Sequence, residues 1–260
     1  MRVLVLGHKG MLGSTLCRYL KENKVIIDII EGCRWPDSHY TNKILKSEAD
    51  AIVNCLGCIP QKKPKEQQYL INNFFLPVFL ANNFKGRVIH PTTDCEFLGS
   101  TDIHHRYTKQ CEKDATDPYG RSKIFASDYL MGFENTTILR TSIIGREISS
   151  QFSLWDWFVK NKKTSIDGYV NHLWNGITTL QWSKICLSLL FNDLNKKYIQ
   201  IGTENYISKG VLLETLNTKL KLKKHVNLCY DGKKFVNKCL KSDMIVPNIQ
   251  QQIDDVLNWE

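Results

Sequence analysis

No stretch of the sequence comes near the run of about 18 apolar residues that a membrane-crossing helix needs. The opening "MRVLVLGHKG" has an apolar run too short, and too soon followed by glycine, for a secretory leader. There is no internal repeat, no low-complexity tract and no separable linker. The nine cysteines are odd in number and scattered. They read as reduced thiols in a reducing compartment, not as a disulfide framework. Cys55 and Cys58 form a single C-x-x-C with no second pair at metal-ligand spacing, so no metal is expected. Together these absences imply a soluble, cytoplasmic protein that enters no membrane. At 260 residues and 42% hydrophobic, the chain can bury the core of one large domain, or of one domain plus a lobe.

Charge of one sign is in excess. The formal net charge is +9, with lysines clustered at 62–65, 160–163 and 219–224. A basic chain invites a nucleic-acid reading. Aromatic residues are not interleaved with these clusters, however, so they read as solvated surface and no nucleic-acid partner is expected. A mild bias toward anionic small molecules, such as phosphorylated cofactors and nucleotides, remains.

Through residue 145, apolar strand-like runs alternate with helix-length amphipathic stretches. "RVLVLG", "KVIIDII", "ADAIVNCLG", "GRVIHPTTD" and "TTILRTSIIG" read as strands. Helices are expected from Met11, across 68–84, and from about Tyr119 to Met131. Such alternation predicts βαβ units and a doubly wound parallel sheet of the α/β class, with ligands beyond the carboxyl ends of the strands. After Gly145 the pattern loosens into a tryptophan-bearing stretch that suits a loop-rich lobe. A helix at about 178–194, a strand at "KYIQIG" and a final helical region follow. The expected division is a nucleotide-binding domain over 1–145, completed by parts of 177–203, and a substrate-binding lobe from 146–176 and 204–260.

The first strand runs into "GHKGMLGSTL", with Gly7, Gly10 and Gly13 spaced G-x-x-G-x-x-G. A tight turn needs positive φ, close approach of a pyrophosphate forbids a Cβ, and helix–strand packing wants a third glycine. The helix that opens at Met11, Leu12 and Gly13 then turns its N–H groups and positive dipole end toward phosphate. Lys9 in this loop and Arg34 beyond the second strand favour a 2′-phosphate, hence NADP(H); Asp28 or Glu31 would instead suit the ribose of NAD. "DPYGRSK" carries Tyr119 and Lys123 at i, i+4, on one helix face. An ammonium beside a phenol favours the phenolate and brings a tyrosine toward acid–base work at neutral pH.

A strand–GxxGxxG turn, "VNCLG", "TTD" and Tyr-Gly-Arg-Ser-Lys follow in the order of the extended short-chain dehydrogenase/reductases. With "YGRSK" and "LRTS", the chain resembles the dTDP-4-dehydrorhamnose reductase group. The resemblance spans essentially the whole length and is strongest through Ser142. It implies a Rossmann-type sheet with a smaller C-terminal substrate-binding lobe. It also implies a catalytic set of Thr93, Tyr119 and Lys123: Thr93 bonding the substrate carbonyl, Tyr119 supplying the proton, Lys123 anchoring the nicotinamide ribose. Asn54, Leu56, Gly57, Thr92 and Asn73 would lie along the cofactor. The implied activity is NADPH-dependent reduction at C4 of a nucleotide-linked 4-keto-6-deoxyhexose, UDP- or dTDP-linked; a homodimer is compatible with it.

After Thr93 and Asp94 stands Cys95, where plain reductases of this group carry an aromatic residue. GDP-fucose synthases and plant-type nucleotide-rhamnose epimerase-reductases resemble this chain in having cysteine there, as an acid/base for epimerisation before reduction. A C4 ketone acidifies the hydrogens at C3 and C5, and a thiol with a pKa near ~8.5 needs only modest lowering to remove one. Cys95 is therefore expected to make the chain a bifunctional epimerase/reductase. The substrate side is expected to comprise Thr93, Asp94, Cys95, Arg146, His172, Trp174 and Asn175, with Arg146, His172 or Lys160 as the second acid/base. "WDWF" at 155–158 reads as helix core. The competing possibility is a non-catalytic NADP-binding regulatory subunit on the same fold.

Overall fold

The computed structural model describes residues 1–148, 150–192, 197–232 and 235–259. Positions 149, 193–196, 233–234 and 260 lie outside the described residues, including the end of the helix expected over 178–194 and small parts of the expected lobe. The chain runs β1 (Arg2–Leu6), α1 (Met11–Glu22), β2 (Ile26–Ile29), α2 (Ser38–Leu45), β3 (Ala51–Asn54) and α3 (Glu66–Tyr69). A π-helical stretch, Leu70–Phe75, leads into α4 (Leu76–Asn83) and β4 (Arg87–Thr92). A 3₁₀ turn (Asp94–Glu96) precedes α5 (Pro118–Leu130), β5 (Thr136–Arg140) and β6 (Ile143–Ile144). Then come α6 (Leu154–Lys160), β7 (Ser165–Tyr169), β8 (His172–Trp174), β9 (Ile177–Thr178), α7 (Thr179–Phe191), β10 (Tyr198–Gln200), β11 (Ile207–Ser208), α8 (Lys209–Lys219), β12 (His225–Cys229), β13 (Val236–Asn237) and α9 (Ile249–Trp259).

Six strands form one parallel sheet in the order β10-β5-β4-β3-β1-β2. The order reverses between β1 and β3, which is where a doubly wound sheet opens a crevice beyond its strand ends. The strands read as near-continuous apolar runs because both faces are covered. On one face Val3, Val5, Val53, Ile89 and Leu139 pack against Leu16 and Leu20 of α1 and Trp182 and Leu189 of α7. On the other, Leu4, Leu6, Ile52 and Val88 meet Tyr40 and Ile44 of α2 and Leu76 and Leu80 of α4.

Downstream of Gly145 the structure departs from the loop-rich expectation. This stretch contributes α6, β7 and β8, and its strands find partners far along the chain. β7 pairs with β12, and β8 with β11 and β13. Pairing across some sixty residues leaves no local period in the sequence. Trp155 and Phe158, one turn apart on α6, are fully buried beside Ile166, Leu216 and Ile253, while Trp157 points outward. The long helix before β4 also carries a local irregularity. Pro77 has no N–H for the Asn73 carbonyl, and the turn before it is widened into the π-helical stretch. Among the described residues no helix is long and apolar enough to cross a membrane.

Candidate active site

The glycine turn sits at the switch point. Gly7 has φ of +81°, and a Cβ there would lie 2.8 Å from the backbone of Cys55 and Leu56. Gly13 is equally constrained, since its Cβ would fall 2.3 Å from the Gly7 carbonyl oxygen, closing the helix onto the turn. Gly10 is different: its Cβ would come no closer than 3.3 Å to that oxygen. The chain's own packing therefore requires Gly7 and Gly13 far more than Gly10. Gly10 is the N-cap of α1 with no side-chain cap, so no cap oxygen satisfies the first-turn N–H groups of Met11, Leu12 and Gly13.

Lys9 Nζ lies 2.9 Å from Glu31 Oε1, and His8 Nε2 is 3.4 Å from the same oxygen. Lys9 and His8 hold the Glu31 carboxyl below its usual range. Asp28, the other candidate acid, is taken up by Arg2 at 3.2 Å. Glu31 is thus the carboxylate facing the glycine turn. Arg34 stands three residues on, in the turn before α2, where its carbonyl accepts from the Asp37 N–H at 2.8 Å.

Beyond β3 the loop is held by two buried asparagines. Asn54 Oδ1 accepts from the Leu56 N–H at 3.2 Å, and its Nδ2 lies 3.2 Å from His90 Nδ1. Asn73, fully buried in the π-helical stretch, accepts from the Cys58 N–H at 2.8 Å. Its Nδ2 donates to the Cys58 carbonyl at 3.1 Å and to Ser122 Oγ at 3.0 Å. Gly57 packs over this amide, with room for a Cβ only 3.2 Å from Asn73 Oδ1. Cys58 Sγ accepts from Asn72 Nδ2 at 3.2 Å. Among the described residues no group of three or more His, Cys, Asp or Glu is placed to hold a metal ion.

β4 ends at Thr92, and the turn after it presents Thr93, Asp94 and Cys95. Thr93 Oγ1 donates to Asp94 Oδ1 at 3.0 Å and accepts from the Cys95 N–H at 3.1 Å. Helix α5 begins against this turn. Asp117 caps it through the Gly120 N–H at 3.0 Å, with Pro118 in the first turn. Gly120 permits the approach, since its Cβ would lie 2.5 Å from the Cys95 carbonyl oxygen and 2.4 Å from Ala115 Cβ. The glycine inside "YGRSK" is thus a further site-building residue, and its signal was its place between Tyr119 and Lys123.

Tyr119, Thr93 and Cys95 meet here, with Lys123 one turn further along α5. Burial raises the Tyr119 phenol well above its usual value, with Cys95 adding to the rise and a Thr93 hydrogen bond opposing it. Burial lowers Lys123 to about 8, against the pull of Glu96 and Cys58. Its Nζ donates to the Pro91 carbonyl at 3.1 Å. Lys123 is not among the groups that shift Tyr119; desolvation is the largest cause acting on the phenol. Cys95 departs from expectation in the same way: burial, helped by Asp94, pushes its thiol up to about 12, while Lys238 and Thr93 oppose this. The group is a thiol, not a thiolate.

The residues expected from the lobe have separate surroundings. Arg146 Nε lies 3.4 Å from Asp156 Oδ1, and Lys160 Nζ 3.8 Å from the same oxygen. His172 Nε2 is 2.6 Å from Asp231 Oδ2, with Lys209 Nζ 3.3 Å from its Nδ1. Trp174 Nε1 donates to Ser142 Oγ at 2.7 Å. Asn175 is a correction. It is buried, and both amide hydrogens go to the carbonyls of Thr203 and Leu240 while its oxygen accepts from the Leu240 N–H, so it braces the lobe. Lys238 was missed. It follows β13, packs against Gly99 and reaches Cys95 electrostatically, a placement created by the Ser100–Asn237 bridge with no local sequence signal.

A doubly wound sheet with an uncapped glycine turn at its switch point, and a Thr/Tyr/Lys cluster two strands away, defines a nucleotide-binding domain of the dehydrogenase and epimerase type. Residues 3–144 match the model of the NAD dependent epimerase/dehydratase family, and the chain belongs to that family. Solved structures share the whole architecture. A dTDP-4-dehydrorhamnose reductase of Clostridium acetobutylicum superposes with a TM-score of 0.85 at 14% identity, over 100% of this chain and 99% of that one. The same enzyme from Bacillus anthracis, in complex with NADP, gives 0.85 at 14%, with the same coverage. In sequence, the spore coat polysaccharide biosynthesis protein SpsK of Bacillus subtilis is 28% identical over 167 residues. That match covers 58% of this chain, and the chain spans 56% of that protein's length.

Proposed function

We propose that the chain reduces the C4 ketone of a nucleotide-linked 4-keto-6-deoxyhexose, UDP- or dTDP-linked, at the expense of NADPH. The observation that carries this reading is Tyr119 packed against Thr93 and Cys95 at the end of β4, with Lys123 one turn further along α5, at the carboxyl edge of the sheet whose first strand runs into the Gly7–Gly13 turn. The turn suits a dinucleotide: Gly10 lacks a Cβ that its own neighbours would nearly tolerate, and the first-turn N–H groups of α1 have no side-chain cap. Lys9 and Arg34 suit a 2′-phosphate, with Glu31 released from Lys9 as that phosphate arrives. The relatives, reductases of a nucleotide-linked keto sugar and a polysaccharide biosynthesis protein, agree with this substrate class.

The bound cofactor supplies the hydride that goes to C4. Thr93 Oγ1 donates to the carbonyl oxygen and polarises it, exchanging its bond to Asp94. Tyr119, held as a neutral phenol, gives its proton to that oxygen as the alkoxide forms. Lys123 would hold the nicotinamide ribose, one turn along α5 from Tyr119. The sheet residues 1–145, with 177–203, would hold the cofactor. Segments 146–176 and 204–260 would hold the sugar nucleotide, with Arg146 toward its diphosphate and Trp174 and His172 along the sugar and base. The test is loss of NADPH absorbance with a panel of 4-keto-6-deoxy nucleotide sugars, wild type against Tyr119→Phe. Cofactor binding without turnover in either protein would instead favour a non-catalytic regulatory subunit.

Epimerisation before reduction is a second reading, favoured by the position of Cys95 against Tyr119 and Thr93. With its thiol held up at about 12, Cys95 would serve as the proton donor to one face of the enolate. The abstracting base would come from the lobe, from the opposite face of the sugar. Turnover in D₂O that leaves no deuterium at C3 or C5 rejects this reading and leaves reduction intact.

A further inference from the structure

Beneath the Thr93 turn lies a buried ion pair that the proposed chemistry does not use. Glu96 and Arg140 are both fully buried, and Arg140 Nη2 donates to Glu96 Oε2 at 2.5 Å. The other carboxylate oxygen accepts from Thr92 Oγ1 at 2.5 Å. Arg140 also donates to Gln200 Oε1 at 2.9 Å and stacks near Phe97 and Tyr198, at 4.8 and 4.9 Å from their ring centroids. Lys113 Nζ lies 3.9 Å from Glu96 Oε2. A buried pair of this kind is a weak source of stability, because desolvating both charges offsets most of their attraction. Apolar side chains would fill the space at no loss, and the Arg140 Nε remains without a partner. The pair therefore calls for another explanation.

Its location supplies one. Lys123 Nζ bonds the carbonyl of Pro91, and Glu96 bonds the hydroxyl of the next residue, Thr92. The carboxylate and the ammonium thus grip adjacent residues of β4. The main chain of Glu96 completes the clamp: its N–H donates to the Thr93 carbonyl at 3.4 Å, and its own carbonyl accepts from the Ala115 N–H at 3.2 Å. The charged and titratable groups facing Lys123 are Glu96 from the 3₁₀ turn, Cys58 from the loop after β3 and His90 from β4. Those facing Glu96 are Arg140 of β5, Lys113, Tyr119 of α5 and Tyr198 of β10. Glu96 is the carboxylate among them.

We infer that Glu96 is a positioning residue: clamped between Thr92 and Arg140, it fixes the turn that carries Thr93 and Cys95 and sets its carboxylate against the end of β4 that the Lys123 ammonium grips. This assignment rests on the proposed role of Lys123, but its test does not require turnover.

The experiment follows the Lys123 side chain by NMR in lysine-labelled protein, its resonance assigned by loss in Lys123→Arg, with no cofactor or substrate present. Wild type is expected to titrate near 8. In Glu96→Gln the midpoint should fall by about one pH unit or more, because the opposing charge is gone while burial remains. Glu96→Gln strands Arg140 and will lose stability, so the companion is Glu96→Leu/Arg140→Met, which removes both charges and keeps the volume. It should fold with near-wild-type thermal stability and still show the lowered midpoint. A midpoint unchanged in that double variant overturns the inference, as does one restored in the double but lowered in the single. Thr92→Val, which keeps both charges, should leave the midpoint in place. If wild type titrates as expected yet turns over no 4-keto sugar, the substrate reading fails and the role of Glu96 stands.

Discussion

Asn73 and Ser122 join two parts of the site that are 49 residues apart in sequence: the Asn73 amide donates to Ser122 Oγ at 3.0 Å while its carbonyl oxygen holds the Cys58 N–H at 2.8 Å. Ser122 passes the contact on, donating to the Tyr119 carbonyl at 2.7 Å. The loop after β3 and the helix bearing Tyr119 are thereby held in one register. Asn73→Ala would leave the Cys58 N–H and carbonyl without this partner in a buried place. It should destabilise the chain by about 2–4 kcal/mol in chemical denaturation. Asn73→Asp, which keeps the acceptor, should lose less.

The three glycines should separate by function. Gly13→Ala forces a Cβ to 2.3 Å from backbone and should lower thermal stability sharply. Gly10→Ala needs only a shift of a few tenths of an ångström and should melt near wild type. It should nevertheless bind NADPH at least about tenfold more weakly, since the methyl occupies the approach of the pyrophosphate. Equal losses of stability in the two variants would count against a ligand role for Gly10.

Lys9 and Glu31 should set the choice of cofactor. Lys9→Ala should weaken NADPH about tenfold while changing NADH little, a loss of one charged phosphate contact. Glu31→Gln should act in the opposite sense, freeing Lys9 for the phosphate. Isothermal titration with both cofactors reads each effect.

Tyr119→Phe should reduce turnover by about 10²–10⁴-fold, the usual contribution of a positioned acid, with NADPH affinity retained. The pH dependence should come from Lys123. Its ammonium form, which the proposed reaction uses, predominates below about 8, so kcat/KM should be level there and fall as pH rises through that value.

Stability should move the other way. The folded Lys123 pKa of about 8 lies below the ordinary 10.5, so between these values the unfolded chain binds more protons than the folded one. Below about 8 the burial penalty is present in full, and it is relieved as pH rises toward 10.5. Lys123→Met should accordingly be more stable than wild type at pH 7, with the difference shrinking at alkaline pH. A difference independent of pH would contradict a depressed Lys123.

Much of the architecture was legible in the sequence because its cause is local. The five strands through residue 140 announce themselves as apolar runs covered on both faces, and Gly7 and Gly13 mark a turn that no other residue fits. Tyr119 and Lys123 share a face by helix geometry alone. Where the expectation failed, the cause was a neighbour distant in sequence. β7 finds β12, Asn175 is used up by Thr203 and Leu240, and Lys238 is carried to Cys95 by a bridge to Ser100.

By itself, then, the sequence determined the strands through residue 140, their order, and which side chains stand at their ends, since periodicity and backbone sterics act over a few residues. Protonation was left to the tertiary structure. Tyr119 stays a phenol, Cys95 a thiol, and Lys123 sits near 8 because each is desolvated by residues brought from elsewhere in the chain. Desolvation and the charge of Glu96 depend on three-dimensional distance, and no spacing along the chain encodes them.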